Sequence, residues 1–458
     1  MLRHSVRVVG VLTLLAVPGL AWAEGPPQAT PKQIARATHA FAAAIDHNCR
    51  LELGQPCSIS HLERLPVVDD VVRYRFKVRI GPGPFDVIRM HRVVKEERPF
   101  VPARTRQALF ALHGCCTGFE GSFLANILTG ERPPKQAMPV YLAQRGVDVW
   151  GVDLGWILAP KNTTDFSAFA DWGFDKEVSQ TRAGMAIARG VRAATSRDPG
   201  RMDFLGWSYG AQIGYVLVAQ ETQLPRWRRH VKGFIPVDMV MKFEPETVPD
   251  WVCPSAEWYQ GRQDSGDYRD DMSSMGTTGT LAINDPTGES PLYPGSGLTN
   301  EEVALWAGAG SMGITPTSHM VAGVFDVTGV PTGFQFTGKD YYFQFMAGGP
   351  SGAGRIWWAP VLAGVDQLNT WCDAIDVPFD DHLGDVRVPT LNLAAAGGIG
   401  QASVYSTTLL GSPDVTTRIV SLRPPGEEDL DFGHADLWLA DNAEKIAWRP
   451  ILDWLKKH

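Results

Sequence analysis

Charge of one sign is not in excess in this chain. The 458 residues include 42 Lys and Arg and 50 Asp and Glu, which leaves a net charge of −8, and no basic cluster stands out. Proteins that bind nucleic acid usually carry a basic patch or stripe. The composition therefore predicts no nucleic-acid partner.

Long hydrophobic runs are missing beyond the first 23 residues, so no later segment is expected to span a membrane. Residues 1–23 combine a basic start, the apolar run Val8–Leu20 and the small-residue end Ala21–Ala23. This pattern is typical of a secretory signal peptide cleaved before Glu24, and it predicts a secreted or periplasmic protein. An N-terminal membrane anchor is the alternative, although the apolar run is short for a span.

Cysteine is scarce, with six in the whole chain. Disulfides persist in the compartments that exported proteins reach, so these cysteines are candidates for pairing. Cys49 and Cys57 flank a short segment, while Cys253 and Cys372 fall in one irregular region of the sequence. Other pairings remain possible on spacing alone, but these two are the ones that the sequence suggests.

Metal-binding patterns and internal repeats are also absent. The sequence contains no H-E-x-x-H motif and no clustered Cys and His at ligand spacing. We therefore expect neither a metal nor an organic cofactor.

Strand-like and helix-like segments alternate along the chain. The predicted strands are Val71–Ile80, Phe85–Val94, Ala108–Leu112, Val147–Val152, Asp203–Leu205, Val231–Val237, Thr390–Ala396 and Thr416–Leu422. The predicted helices are Thr30–Ala44, Tyr141–Gln144, Ser179–Thr195, Gly210–Gln220, one from about Gln401 and one over about 442–457. Such alternation predicts an α/β fold with a mainly parallel sheet covered on both faces.

Residues 240–386 are rich in Gly, Pro, Trp and Met and show few periodic segments. A structureless loop of this length would be unusual in a compact domain. We interpret it as an inserted cap over the catalytic edge, with a separate small domain as the alternative. The predicted organisation is a signal peptide (1–23), an N-terminal extension (24–70), a first core part (71–239), the cap (240–386) and a second core part (387–458).

Gly206-Trp207-Ser208-Tyr209-Gly210 matches the G-x-S-x-G pattern of a nucleophile elbow. The pattern is short and the chain holds 47 glycines, but here it lies between a predicted strand and a predicted helix, as the elbow requires. Such a turn projects the Ser208 hydroxyl above the sheet edge. Side chains at Gly206 and Gly210 would collide with the neighbouring strand and helix.

Two further motifs complete a familiar order of parts. His113-Gly114 follows an earlier strand, and His434 lies between the last strand and the closing helix. From about Val71 onward this order resembles the α/β-hydrolase superfamily, and the stretch from Tyr141 to the elbow is distantly similar to acid lipases. The resemblance implies an α/β-hydrolase fold with a large inserted cap and makes His434 the catalytic base. His113 and His382 are weaker candidates.

The acidic partner of His434 is less obvious. Many superfamily members carry it after the strand that corresponds to Thr390–Ala396, but here the run Ala394–Gly400 holds no carboxylate. Asp238, at the carboxyl end of Val231–Val237, is the substitute, because some members place the acid at that strand. The remaining candidates are Asp414, Glu427, Glu428, Asp429 and Asp431.

The resemblance also implies an oxyanion hole made by the backbone amides of Tyr209 and Cys115. Backbone donors leave the side chains free, so a cysteine is acceptable at position 115. Cys115 and Cys116 are either two thiols or a vicinal disulfide that stiffens the turn.

The implied activity is cleavage of carboxylic esters through an acyl-enzyme. Tryptophans of the predicted cap suggest an apolar or aromatic substrate, small or polymeric, or else they form the cap's own core: Trp251, Trp258, Trp306, Trp357, Trp358 and Trp371. The alternatives are a peptidase or carbon–carbon hydrolase that uses the same triad, and a non-catalytic ligand-binding protein.

Overall fold

One large sheet organises the part of the chain that the computed structural model describes, residues 28–105, 107–115, 117–196, 198–349 and 358–458. Within those residues it contains ten strands: β1 (Ser58–Val68), β2 (Val71–Arg79), β3 (Val87–Arg98), β4 (Val101–Pro102), β5 (Gln107–Leu112), β6 (Val147–Asp153), β7 (Met202–Trp207), β8 (Val231–Val237), β13 (Thr390–Ala395) and β14 (Val415–Val420). They join in the order β1-β2-β3-β6-β5-β7-β8-β13-β14, with β4 paired to β3. The short strands β9 (Arg269–Asp271), β10 (Gly323–Phe325), β11 (Pro331–Phe334) and β12 (Trp358–Pro360) form two small sheets apart from it.

The sheet is mixed, as its pairings show. Strands β1 to β3 are antiparallel to one another, and β3 is antiparallel to β6. From β6 through β5, β7, β8 and β13 to β14 the neighbours run parallel. The predicted α/β class with a mainly parallel core is confirmed.

Strand β1 was missed because its sequence carries little strand signal. Ser58–Val68 contains several polar residues and Pro66, and none of its residues is fully buried. An edge strand of this kind lacks the clear alternation on which a sequence-based prediction depends. The predicted N-terminal extension thus contributes a strand to the main sheet.

Helices lie around the sheet and in the region between β8 and β13. They are α1 (Pro31–Leu53), α2 (Phe119–Phe123), α3 (Ala125–Thr129), α4 (Met138–Gln144), α5 (Phe174–Ser196), α6 (Tyr209–Thr222), α7 (Val252–Asp264), α8 (Ser274–Asn284), α9 (Asn300–Ala309), α10 (Lys339–Ala347), α11 (Val361–Cys372), α12 (Ala402–Thr408), α13 (Asp436–Leu439) and α14 (Arg449–Lys457). Helix α1 starts at a capping box in which the Thr30 hydroxyl accepts a hydrogen bond from the Gln33 amide.

Both faces of the inner parallel strands, from β6 to β13 across the sheet, are buried, which explains their continuous apolar runs, whereas the edge strand β14 is mostly exposed. On β5, Leu109 and Ala111 join the core on one face, whereas Phe110 and Leu112 join the core on the other. Successive side chains of a strand point to opposite faces, so a strand covered on both sides must be apolar throughout. The core is therefore double and lies above and below the sheet.

Two disulfides join the cysteines that the spacing suggested. The Cα atoms of Cys49 and Cys57 lie 5.9 Å apart, and those of Cys253 and Cys372 lie 5.0 Å apart. The first disulfide closes the end of α1 onto the start of β1, and the second links α7 to the end of α11. Cys116 lies outside the described residues, so the alternatives for Cys115 and Cys116 stay open.

The region between β8 and β13 contains the five helices α7 to α11, although its sequence showed little periodicity. Val252 of α7 and Leu368 of α11 form an apolar cluster with Ala211 of α6, whereas Tyr342 and Met346 of α10 join the core of the main sheet. The boundaries 240–386 for a cap remain a prediction, and the predicted signal peptide lies outside the described residues. No helix in the described ranges has both the length and the apolar character needed to cross a membrane.

Candidate active site

Ser208 occupies a strained turn at the carboxyl end of β7. Its backbone has φ 55° and ψ −131°, and α6 begins at the next residue. A positive φ is uncommon for a residue with a side chain and is tolerated where the surrounding structure imposes it. Here the Ser208 amide donates to the Val237 carbonyl at 2.9 Å, and its carbonyl accepts from the Ala211 amide at 2.7 Å. The side chain is held at the sheet edge and is partly exposed.

The two glycines of the elbow are required by space. A Cβ at Gly206 would lie 2.1 Å from the Gly210 carbonyl oxygen. A Cβ at Gly210 would lie 2.3 Å from the carbonyl oxygen of His113. Side chains at Gly206 and Gly210 would therefore collide with the backbone of the helix and of the neighbouring strand end, as the sequence predicted.

The His113-Gly114 turn packs directly against the elbow. A Cβ at Gly114 would lie 3.1 Å from the Ser208 Cβ, so the turn passes within contact distance of the serine. The His113 Nδ1–H donates to the Gly114 carbonyl at 2.7 Å, and Nε2 accepts from the Leu154 amide at 3.4 Å. Burial lowers the pKa of His113. A neutral imidazole with both nitrogens engaged is suited to shaping this turn.

His434 and Asp238 form a hydrogen-bonded pair at the same sheet edge. The His434 Nδ1 lies 2.7 Å from the Asp238 Oδ2, and both residues are buried. The imidazole stacks on the indole of Trp207, the residue before Ser208, with ring centroids 5.0 Å apart. Because the carboxyl ends of parallel strands meet at one edge, residues distant in sequence converge here.

The Asp238 carboxylate is held by a glycine-rich turn after β13. Its Oδ1 accepts hydrogen bonds from the amides of Ala395, Ile399 and Gly400 at 2.9, 3.1 and 3.2 Å. A Cβ at Gly398 would lie 2.1 Å from Oδ2, so only glycine leaves room for this carboxylate. Successive backbone amides form a favourable binding site for an anion. The run Ala394–Gly400, which itself holds no carboxylate, thus supplies the backbone amides that bind the carboxylate of Asp238.

The other acidic candidates have different partners. Asp431 is buried and accepts from the amides of Leu422, Arg423 and Phe432, which orders its own loop. The remaining candidates engage other groups at the surface: Asp414 with His458 at 3.1 Å, Glu427 with Arg423 at 3.5 Å and Glu428 with the Gly426 amide at 2.9 Å. Asp429 lies in the short turn Glu428–Leu430. In the described part of the chain, none of these carboxylates is hydrogen-bonded to His434.

Three sequence-predicted residues remain. Tyr209 is buried at the start of α6, directly after Ser208. Cys115 is exposed and directly follows Gly114, which packs against Ser208. His382 is partly exposed and pairs with Asp385 at 3.4 Å.

The predicted cap tryptophans do not share one environment. Trp371 is buried and donates from Nε1 to the Val240 carbonyl at 3.3 Å, whereas Trp251, Trp258 and Trp306 are exposed. Trp357 and the side chain of Trp358 lie outside the described part. Across the described ranges, no cluster of His, Cys, Asp and Glu is arranged to hold a metal ion.

Sequence reasoning missed a buried carboxyl beside the elbow. Glu177 of α5 is fully buried, and neither of its oxygens has a hydrogen-bond partner among the described residues. The Tyr209 hydroxyl and the Trp156 indole N–H approach it and lower its pKa in part, but burial dominates and raises that pKa to about 8. The only sequence signal was an acidic residue on an otherwise buried face of a helix.

Glu177→Gln is expected to stabilise the protein, relative to wild type, by an amount that increases as pH rises. Glu177 is neutral in the folded state up to about pH 8 but ionises near 4.5 when unfolded, so its burial destabilises the fold increasingly between those values. Glutamine has the same shape and does not ionise. The difference in unfolding free energy, variant minus wild type, should rise by about 1.4 kcal/mol per pH unit between pH 5.5 and about pH 8.

Urea unfolding of both proteins at pH 5.5, 6.5 and 7.5 measures this slope. Glu257→Gln, a change at an exposed position of α7, is the control and should show no such trend. A difference that stays constant with pH would contradict a neutral Glu177.

Comparisons with known proteins agree with the architecture. No protein-family model matches the chain, and no curated protein sequence matches it significantly. Among solved structures, a candidate lipase from Sulfolobus solfataricus superimposes with a TM-score of 0.57 at 15% identity, over 87% of this chain and 99% of that one. A soluble variant of monoglyceride lipase from Saccharomyces cerevisiae gives a TM-score of 0.42 at 12% identity, over 81% and 92% of the two chains. This chain has the α/β-hydrolase fold.

Proposed function

We propose that the chain is an exported serine hydrolase that cleaves carboxylic esters through an acyl-enzyme. The observation that carries the proposal is the 2.7 Å hydrogen bond between His434 Nδ1 and Asp238 Oδ2. The His434 ring stacks on Trp207, the residue that precedes Ser208. A serine on a strained turn, a histidine stacked on the residue before it and a buried carboxylate hydrogen-bonded to that histidine are the parts expected of a catalytic triad.

In the proposed reaction, Ser208 Oγ attacks the ester carbonyl while Nε2 of His434 takes its proton. Asp238 holds the tautomer with the proton on Nδ1 and stabilises the imidazolium that forms. The negative charge on the carbonyl oxygen is received by the amides of Tyr209 and Cys115. The carbon–oxygen bond to the alcohol then breaks, and the alcohol leaves with the proton from His434. Water repeats the sequence on the acyl-enzyme and releases the acid.

Export is supported by the pattern of residues 1–23 and by the two disulfides. Disulfides are common in secreted and periplasmic proteins and rare in reducing compartments. In this proposal residues 240–386 form a cap over the site, and the substrate is an apolar or aromatic ester.

Covalent labelling tests the proposal directly. A fluorophosphonate probe should modify the folded protein once, and mass spectrometry of the digested protein should place the adduct on Ser208. A panel of p-nitrophenyl esters of increasing acyl length should be hydrolysed, and the length profile measures the acyl site. A folded protein that is neither labelled nor active would refute it, whereas faster cleavage of amides or β-diketones would favour the other triad chemistries.

A further inference from the structure

A further histidine lies next to the supports of the candidate triad, in the segment that connects α9 to β10. His319 is buried, and its backbone amide donates to the Gly397 carbonyl at 2.8 Å. Its carbonyl accepts from the amide of His434 at 2.9 Å. The backbone of this one residue is therefore bonded both to the glycine-rich turn that holds Asp238 and to His434.

The imidazole of His319 faces two backbone carbonyls. Its Nδ1 lies 3.0 Å from the Thr317 oxygen, and its Nε2 lies 2.9 Å from the Asp431 oxygen. Carbonyl oxygens only accept hydrogen bonds, so the ring bonds to either of them through a donating N–H.

Two glycines make room for this ring. A Cβ at Gly397 would lie 2.3 Å from His319 Cε1, and a Cβ at Gly433 would lie 2.8 Å from Cδ2. Gly397 opens the turn whose later amides bind Asp238, and Gly433 immediately precedes His434. The ring thus fills the space between the supports of the two triad partners.

The titratable groups near the ring are Asp436, Asp431 and His434. Asp436, which starts α13, is fully buried, and its carboxylate accepts from the amides of Gly433 and Ala322 at 2.8 and 2.9 Å. Burial raises the pKa of Asp436 to about 6, and the hydrogen bond from the Thr337 hydroxyl is the largest effect that opposes this rise. The Asp431 carboxylate is turned toward its own loop, and the other titratable neighbour is His434 itself.

We propose that His319 is a positioning residue that ties the loop of His434 to the turn that holds Asp238. The proposal rests on the proposed function, because it concerns the geometry of that triad. The contact of Nε2 with the Asp431 carbonyl fixes the start of the His434 loop, and the contact of Nδ1 with the Thr317 carbonyl fixes the ring.

Two amide variants separate these bonds. In His319→Gln the side-chain NH₂ can replace Nε2 and reach the Asp431 carbonyl, whereas in His319→Asn it can replace only Nδ1. We expect His319→Asn to lower kcat up to about 100-fold with KM changed less than about twofold, since small displacements of catalytic groups have effects of this size. His319→Gln should recover most of kcat.

The kcat and KM of the two amide variants give a readout that a purely structural role would not produce. A general loosening of the fold should impair His319→Gln and His319→Asn alike, whereas the positioning role predicts that kcat falls in His319→Asn and is recovered in His319→Gln. His47→Gln, at an exposed position of α1, should behave as wild type. Thermal unfolding confirms that each variant is folded.

The outcomes are distinguishable. Wild type that neither hydrolyses esters nor reacts with the fluorophosphonate would refute the proposed function. Active wild type with both amide variants equally active, or equally impaired, would overturn the positioning role alone.

Discussion

Ser208→Ala is expected to lower kcat for ester hydrolysis by about 10⁴- to 10⁶-fold, the range found when a triad nucleophile is removed. The loss follows from the chemistry, since no acyl-enzyme can form without Oγ. The fold should be unaffected because alanine keeps the Cβ, and the strain of the backbone at φ 55° is the same for both residues.

Initial rates with p-nitrophenyl esters, together with thermal unfolding, check this prediction. Ser265→Ala, at an exposed position after α7, is the matched control and should keep wild-type activity. A Ser208→Ala protein that retains wild-type kcat would mean that another residue is the nucleophile.

Asp238→Asn is expected to lower kcat by about 10⁴-fold at neutral pH. The side-chain carbonyl of the introduced asparagine can still accept from the amides of Ala395, Ile399 and Gly400, so the turn after β13 should persist. Its NH₂ group would then face His434 Nδ1 and require that nitrogen to accept. The proton would move to Nε2, and His434 could no longer take the proton of Ser208.

The alternative acids supply the controls for this variant. Asp414→Asn and Glu427→Gln change carboxylates that pair with His458 and Arg423 at the surface, and each should alter kcat less than about twofold. Steady-state kinetics of all three variants decides between the candidates. Nearly full activity in Asp238→Asn, with a large loss in either control, would mean that the carboxylate changed in that control, and not Asp238, is the partner of His434.

Local patterns in the sequence were enough for the fold class and for the elbow. The inner parallel strands are buried on both faces, so their sequences are continuous apolar runs that stand out without any tertiary information. The elbow is equally easy to recognise, because its two glycines are required by close contacts with residues nearby in sequence or at the end of the adjacent strand. The two disulfides could be suggested from spacing and compartment.

Elements whose identity depends on distant partners were less legible. Strand β1 pairs only at the sheet edge and carries polar residues, so its sequence shows little periodicity. Helix α7 packs against α11, and α8 packs against α9 and α10, in a region rich in glycine, which obscures the helical pattern.

The sequence by itself determined the α/β fold class and predicted that Ser208 lies on a tight turn between a strand and a helix, and it nominated Ser208, His434 and Asp238 for the site. Only the tertiary structure decided that the Asp238 carboxylate meets His434 Nδ1 and sits on the amides after β13. It also placed His319 between the two supporting loops and left Glu177 buried without a hydrogen-bond partner among the described residues. The physical reason is that strand and turn propensities act over a few residues, whereas hydrogen bonds between side chains far apart in sequence exist only after the strands have aligned their carboxyl ends.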